Sequence, residues 1–298
     1  MQYDSTLGAA LIGGFVAAMS YGIMSLQTYN FFQQYGQGAT VLKHIIRTLW
    51  AMHTLHFAFV AQGVYTVLVT DFSNIAAITT SPWSIGAASF VNAIMTMTVH
   101  CSYCHRVWKL SNNSRFPIIP LVCMAIATFA FSLSSDIKLL ILPSFSSYKS
   151  TEWLLFAALV CGCSTDLCIA LWLCWWLLRQ RKGLSGQTHS MVNTIIVYTV
   201  ATGLITSVVA LAELITGAAL PDTYIFIGID FFRGGIYTNS WMASLNARDR
   251  FRRDIRPQAT VITSVHFAND TTTMSSASAP TESQERAPPG IVIEKIEV

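Results

Sequence analysis

Eight residues stand out in this chain because their chemistry conflicts with their surroundings. His53, His56, His100, Asp166, Glu213, Asp230, Arg233 and Asn239 all lie within long apolar stretches. An ionisable side chain in the middle of a bilayer costs roughly 2.5–3.5 kcal/mol on insertion scales, so such residues turn inward and find partners. His53 and His56 are one helical turn apart, and His100 is at a similar depth on the next stretch. Three imidazoles at one level suit a metal ion or a proton-sensing cluster; their plainer role is hydrogen bonding between helices. Asp166 is flanked by Ser164 and Thr165 in the middle of its stretch. An isolated carboxylate there is protonated or compensated, either by a neighbouring helix or by a bound cation or ligand amine in an interior cavity. Asp230 and Arg233 have i,i+3 spacing and can pair on one helix face, while Glu213 offers Arg233 a second acceptor. Asn239 belongs to a polar stripe with Tyr237, Ser240 and Asn246, residues that hold helices together in membranes. Nothing in this set forms a nucleophile–base arrangement, so no catalytic residue and no cofactor is assigned. The candidate sites are an interior polar group (Asp166, Glu213, Asp230, Arg233, Asn239) and a histidine cluster whose metal is left open.

The elements that must position these residues follow from composition. The chain has 298 residues, 53% of them hydrophobic and 11% charged. A soluble domain carries about 25% charged residues, so the polar surface of a soluble fold this large is missing. Seven stretches reach the ~20 apolar residues that a membrane span requires: 7–31, 44–70, 83–108, 117–142, 152–178, 192–216 and 222–245. Each must be a helix, because lipid supplies no hydrogen bonds to an open backbone. The predicted fold class is therefore all-α, a seven-transmembrane helix bundle over 1–256 followed by a disordered cytoplasmic tail over 257–298, rich in Ser, Thr and Pro. The first apolar stretch reads as a span and not as a cleavable signal peptide.

Basic residues set the orientation. Lys43 and Arg47, then Arg106, Lys109 and Arg115, then Arg179, Arg181 and Lys182, then Arg248, Arg250, Arg252, Arg253 and Arg256 fall on alternate connections. This places the N-terminus outside and the C-terminus in the cytoplasm. Asn112 and Asn269 then lie in cytoplasmic sequons and stay unglycosylated. The seven cysteines are all in apolar stretches, where they act as small hydrophobes. The Cys101–Cys104 spacing lacks the second pair that a metal site needs.

Leu11–Gly13, Tyr21-Gly22 and Gln27; Leu49-Trp50 and Thr54-Leu55-His56; Arg106–Ser111; Asp166; Tyr198 and Thr202–Ser207; and, most specifically, Tyr237–Ser240 with Leu245–Arg248 form a set of segments. Together they resemble DUF6534, a fungal family of seven-span membrane proteins of unknown function. The chain departs from the family pattern at Met52-His53, His100 and Gly235, and two of those departures create the histidine cluster. The resemblance implies the seven-span fold and a fungal source, and brings no activity, ligand or catalytic residue.

Three functional classes remain. A receptor-like or sensory protein fits seven spans, an outside N-terminus, basic cytoplasmic loops and a Ser/Thr-rich tail open to phosphorylation. Its partners would be the lipid bilayer, a small-molecule ligand and a cytoplasmic protein at the basic loops and tail, with no nucleic acid. The sequence nevertheless has Cys104-His105-Arg106 where rhodopsin-like receptors have Asp-Arg-Tyr, and no lysine in the seventh span for a retinal Schiff base. A small-molecule or ion transporter is the alternative. A zinc-dependent lipid hydrolase on the three histidines ranks below both.

Overall fold

The computed structural model describes residues 7–34, 40–71, 80–142, 152–181, 186–220, 223 and 225–247. The chain divides into two units, Met1–Ala247 and Arg248–Val298; every described residue belongs to the first, so the expected disordered tail lies outside the described residues. Among those described there are seven helices. They are α1 (Ala9–Gln34), α2 (Thr40–Tyr65, extended by one wider turn, Thr66–Thr70), α3 (Trp83–Leu110), α4 (Ile118–Ile141), α5 (Glu152–Arg181), α6 (Gly186–Ala219) and α7 (225–247). The first five are long and apolar enough to cross a membrane, and α6 contains the shorter apolar stretch Gly203–Ala219.

Local sequence explains where helices stop. Ser111 donates its backbone N–H to Val107 O at 2.9 Å, closing α3. Asn112 and Asn113 then adopt φ of 55° and 60°, the left-handed region that asparagine tolerates better than most residues. Two such residues in succession reverse the chain tightly, and Pro117 precedes the first residue of α4. Helix α2 begins at Thr40, earlier than the expected His44, whose ring nitrogen lies 2.7 Å from Thr40 O.

Side-chain pairs show how the helices run. Gly14 faces Val64 and Trp50 Nε1 donates to Ser25 Oγ at 3.2 Å, so α1 and α2 are antiparallel. Gly63 faces Ser84 and Ile85, Gly86 faces Leu140, Thr128 meets Thr165 while Phe131 meets Trp153, Gly203 faces Ala170 while Gly217 faces Phe156, and Gly217 also faces Phe226. Successive helices therefore alternate in direction. The odd-numbered helices run side by side. Helix α7 is parallel to α3 through Ser89–Asp230 near their starts and Arg106–Ser244 near their ends. It is parallel to α1 through Asn239 to Ser20 and Asn246 to Gln27. Between Gly13 on α1 and Gly228 on α7 backbone meets backbone; a Cβ on Gly228 would lie 2.6 Å from Ala9 O. Small residues permit this contact, as is usual for helices in lipid.

Burial separates the inner helices from the outer ones. In the most apolar window of α3, 61% of residues are buried, against 22–28% for α1, α2, α4 and α5. The interior cluster of Met24, Phe31, Ile46, Leu49, Met95, Val99, Trp241 and Met242 joins α1, α2, α3 and α7. Large apolar side chains such as Ile12, Phe15, Met19, Leu171 and Val208 point away from the bundle. A soluble monomer does not tolerate so much contiguous apolar surface, whereas hydrocarbon solvates it.

Candidate functional site

Helix α7 presents Asp230, Arg233 and Tyr237 along one face, at i, i+3 and i+7. Arg233 uses its fork twice. Nη2 donates to Asp230 Oδ1 at 2.7 Å, and Nε lies 2.8 Å from Glu213 Oε2 on α6. The two acceptors that compete in the sequence are thus held together by one guanidinium, which a rigid planar group with five donors can do. Asp230 is further satisfied from α3, where Ser89 Oγ donates at 2.7 Å and Asn92 Nδ2 at 3.0 Å.

Asp166 belongs to a different group. Its Oδ1 accepts from His100 Nε2 at 3.1 Å, and its Oδ2 accepts from the hydroxyl of Tyr237. The His100 and Tyr237 rings meet edge to face with centroids 5.9 Å apart. Compensation for Asp166 comes from no basic side chain but from an imidazole on α3 and a phenol on α7. The adjacency of α3, α5 and α7 that brings them together is a product of ring closure, not of sequence spacing.

The histidines do not assemble as one cluster. His53 and His56 have ring centroids 6.1 Å apart, and His53 packs edge-on against Tyr21. His100 is committed to Asp166. Among the described residues, no group of three or more His, Cys, Asp or Glu is placed to hold a metal ion, so the ligand set expected for a zinc site is not formed. Equal depth on neighbouring helices fixes only one coordinate; the faces differ. Asn239 also stands apart from the charged group, donating to Ser20 O at 2.9 Å and Ser20 Oγ at 3.0 Å. It fastens α7 to α1.

The charged residues border a cavity among α3, α4, α5, α6 and α7, with an empty volume of about 970 Å³ including its opening. Asp136, Glu213, Asp230 and Arg233 line it together with Ser89, Thr96, His100, Thr128, Ser132 and Tyr237. Ala93, Met97, Ala125, Phe129, Leu155 and Leu159 form its apolar wall. Asp136, which precedes Lys138 near the end of α4, is not among the candidates drawn from the sequence. The signal was the helical spacing of Ser132, Ser135 and Asp136, a polar face on an otherwise apolar helix. A smaller cavity, about 330 Å³ of empty volume, lies by Tyr103, Asp166, Gly203, Thr206 and Ser240. Tyr237 lines both cavities, so the Tyr237–Asp166 bond stands between them.

Tyr237→Phe removes one donor from Asp166 and keeps the ring. Hydrogen bonds between helices in lipid are worth about 0.6 kcal/mol on average and about 1.7 at most. The expected result is a loss in that range, read as a lower thermal midpoint of protein in lipid nanodiscs. An unchanged midpoint would mean that Asp166 is adequately held by His100 alone.

Residues 162–250 match the sequence model of a family of unknown function, DUF6534. The matched segment holds Asp166, Glu213, Asp230, Arg233, Tyr237 and Asn239, the part of the site contributed by α5, α6 and α7. Comparisons with curated proteins and with solved structures give no match.

Proposed function

We propose that this chain is a seven-span integral membrane protein of receptor-like type, which admits a small molecule from outside into the cavity between α3 and α7. The observation that carries this reading is the large, partly charged cavity inside a bundle whose outer surface is apolar. Orientation rests on the basic residues. Lys43, Arg47, Arg106, Lys109, Arg115 and Arg179 gather at one end of the bundle, while Lys138 is near the other. The positive-inside rule makes the first end cytoplasmic, with the N-terminus outside and the tail inside. Ile85, Leu139, Leu155 and Phe226, at the outer ends of their helices, line the cavity, which supports entry from outside.

Below the cavity lie the His100–Asp166–Tyr237 group and the packed side chains of Val99, Trp241, Met242 and Leu245. A cavity bounded on that side by a hydrogen-bonded group suits a sensor, in which a ligand biases the position of α7 relative to α3. The basic end and the tail would then present the surface for a cytoplasmic protein partner. Transport is the second reading, favoured by the smaller cavity beyond Tyr237; it requires the Tyr237–Asp166 bond to open.

One-sided access separates the two. With native cysteines replaced, Ser132→Cys places a single thiol on the cavity wall. A membrane-impermeant thiol reagent is expected to label it from outside and never from the cytoplasmic face. Labelling from both sides in turn would establish transport, and no labelling from either side would contradict an open cavity.

A further inference from the structure

We infer that the cavity is a site for a small organic ammonium ion, held by Asp136, Glu213 and Thr96 at its polar end with its apolar body against Phe129 and Met97. This inference rests on the reading of the cavity as a ligand site and specifies the ligand's chemistry.

The argument begins with charge. Three carboxylates and one guanidinium line the same cavity, so two negative charges are in excess when all are ionised. Uncompensated charge inside a membrane bundle is costly, and Arg233 is already shared between Asp230 and Glu213.

The second observation is a set of buried acceptors that the protein leaves open. Asp230 takes donors from Arg233, Ser89 and Asn92 and is complete. Glu213 is 1% exposed, and its Oε1 has no hydrogen-bond partner among the described residues. The same holds for Asp136 Oδ2. Thr96, 7% exposed and on a different helix from any of the carboxylates, likewise has an unpartnered hydroxyl in the cavity wall. Most buried polar atoms in a native protein are paired, so several open ones around a single cavity mark the outline of a missing partner.

That partner must bring donors and positive charge. An ammonium group has three donors and no acceptor, the complement of two open carboxylate oxygens and a hydroxyl. An anion would meet only a guanidinium that already lies within ion-pair distance of two carboxylates. A bare metal ion is disfavoured, since no group of three suitable ligands among the described residues is placed around one point. The remaining wall is apolar, so the ligand carries a hydrocarbon or aromatic body, as pockets with a few polar groups in an apolar lining select.

The test uses the full chain in lipid nanodiscs and three probes of one shape: phenethylamine, 2-phenylethanol and 3-phenylpropionate. Phenethylamine is expected to raise the thermal midpoint saturably, and the alcohol and the carboxylate are not. Asp136→Asn is expected to weaken phenethylamine about tenfold, in keeping with the loss of a charge-assisted hydrogen bond, with the ligand-free midpoint near wild type. Should that variant fold poorly, Thr96→Val provides the second readout and is expected to weaken the amine several-fold. Saturable binding of the alcohol or the carboxylate in place of the amine would overturn the ammonium assignment and leave the ligand cavity standing. Saturable binding by none of the three would overturn both. Amine affinity unchanged in both variants would overturn the assignment of these residues.

Discussion

Arg233→Ala is expected to destabilise the bundle by about 3–5 kcal/mol, the cost of removing one partner from a buried ion pair. Arg233 Nη2 lies 2.7 Å from Asp230 Oδ1, and Nε lies 2.8 Å from Glu213 Oε2. Its removal leaves two interior carboxylates facing each other across α6 and α7 with no cation between them. Asp230 retains Ser89 and Asn92; Glu213, almost fully buried, retains neither charge partner nor solvent. The damage should therefore be relieved by removing the charges as well. Arg233→Met combined with Glu213→Gln and Asp230→Asn is expected to recover most of the lost stability, because replacing a whole buried ionic group by neutral side chains of similar size is often close to neutral. Thermal midpoints and folded yields in nanodiscs measure both variants. If Arg233→Ala alone matched the wild type, the pair would be solvated and the interior site would lose its central element.

Gly228→Val is expected to cost about 1–3 kcal/mol, the usual penalty for overfilling a close-packed contact. The neighbours it meets are backbone atoms: a Cβ on Gly228 would lie 2.6 Å from Ala9 O and 3.2 Å from Ala9 C. A flexible side chain could move aside, but the main chain of α1 can yield only by shifting the whole helix away from α7. That shift would also stretch the Asn239–Ser20 and Asn246–Gln27 ties lower down. Gly22 is the control. A Cβ there meets nothing within 4 Å, so Gly22→Ala is expected to be neutral or slightly stabilising through helix propensity. Equal effects at the two positions would contradict the close α1–α7 packing.

The contrast between these glycines shows what the sequence carries and what it does not. Both lie in α1–α7 stretches of similar apolarity, and only three-dimensional packing tells a contact from a lipid-facing position. The helical class and the approximate bounds of the helices were legible, because hydrogen-bond economy in lipid leaves a long apolar stretch no other form. The Asp230–Arg233 pair was legible too, since i,i+3 spacing acts within one helix. The α3–α5–α7 adjacency was not, so Asp166 appeared uncompensated and Asn239 appeared to belong with the charged residues. Depth alone likewise grouped His100 with His53 and His56, although it faces Asp166. Asp136, near the end of α4, was likewise absent from the candidates. Helix α7 is the instructive case: it carries Asp230, Arg233, Tyr237 and Asn239 because it faces protein on most sides, and so it lacks the uniform apolarity of the outer helices.

The receptor-like reading depends first on the chain crossing the bilayer seven times with the charged cavity toward the outer side. Two reporter insertions test this in one experiment: one after Val298 and one at Ser146, between α4 and α5. Each should be active on only one side of the membrane. The predicted result is a cytoplasmic signal from the tail and an external signal from Ser146. Signals from the same side at both positions would contradict the seven-span topology and the outward-facing cavity with it.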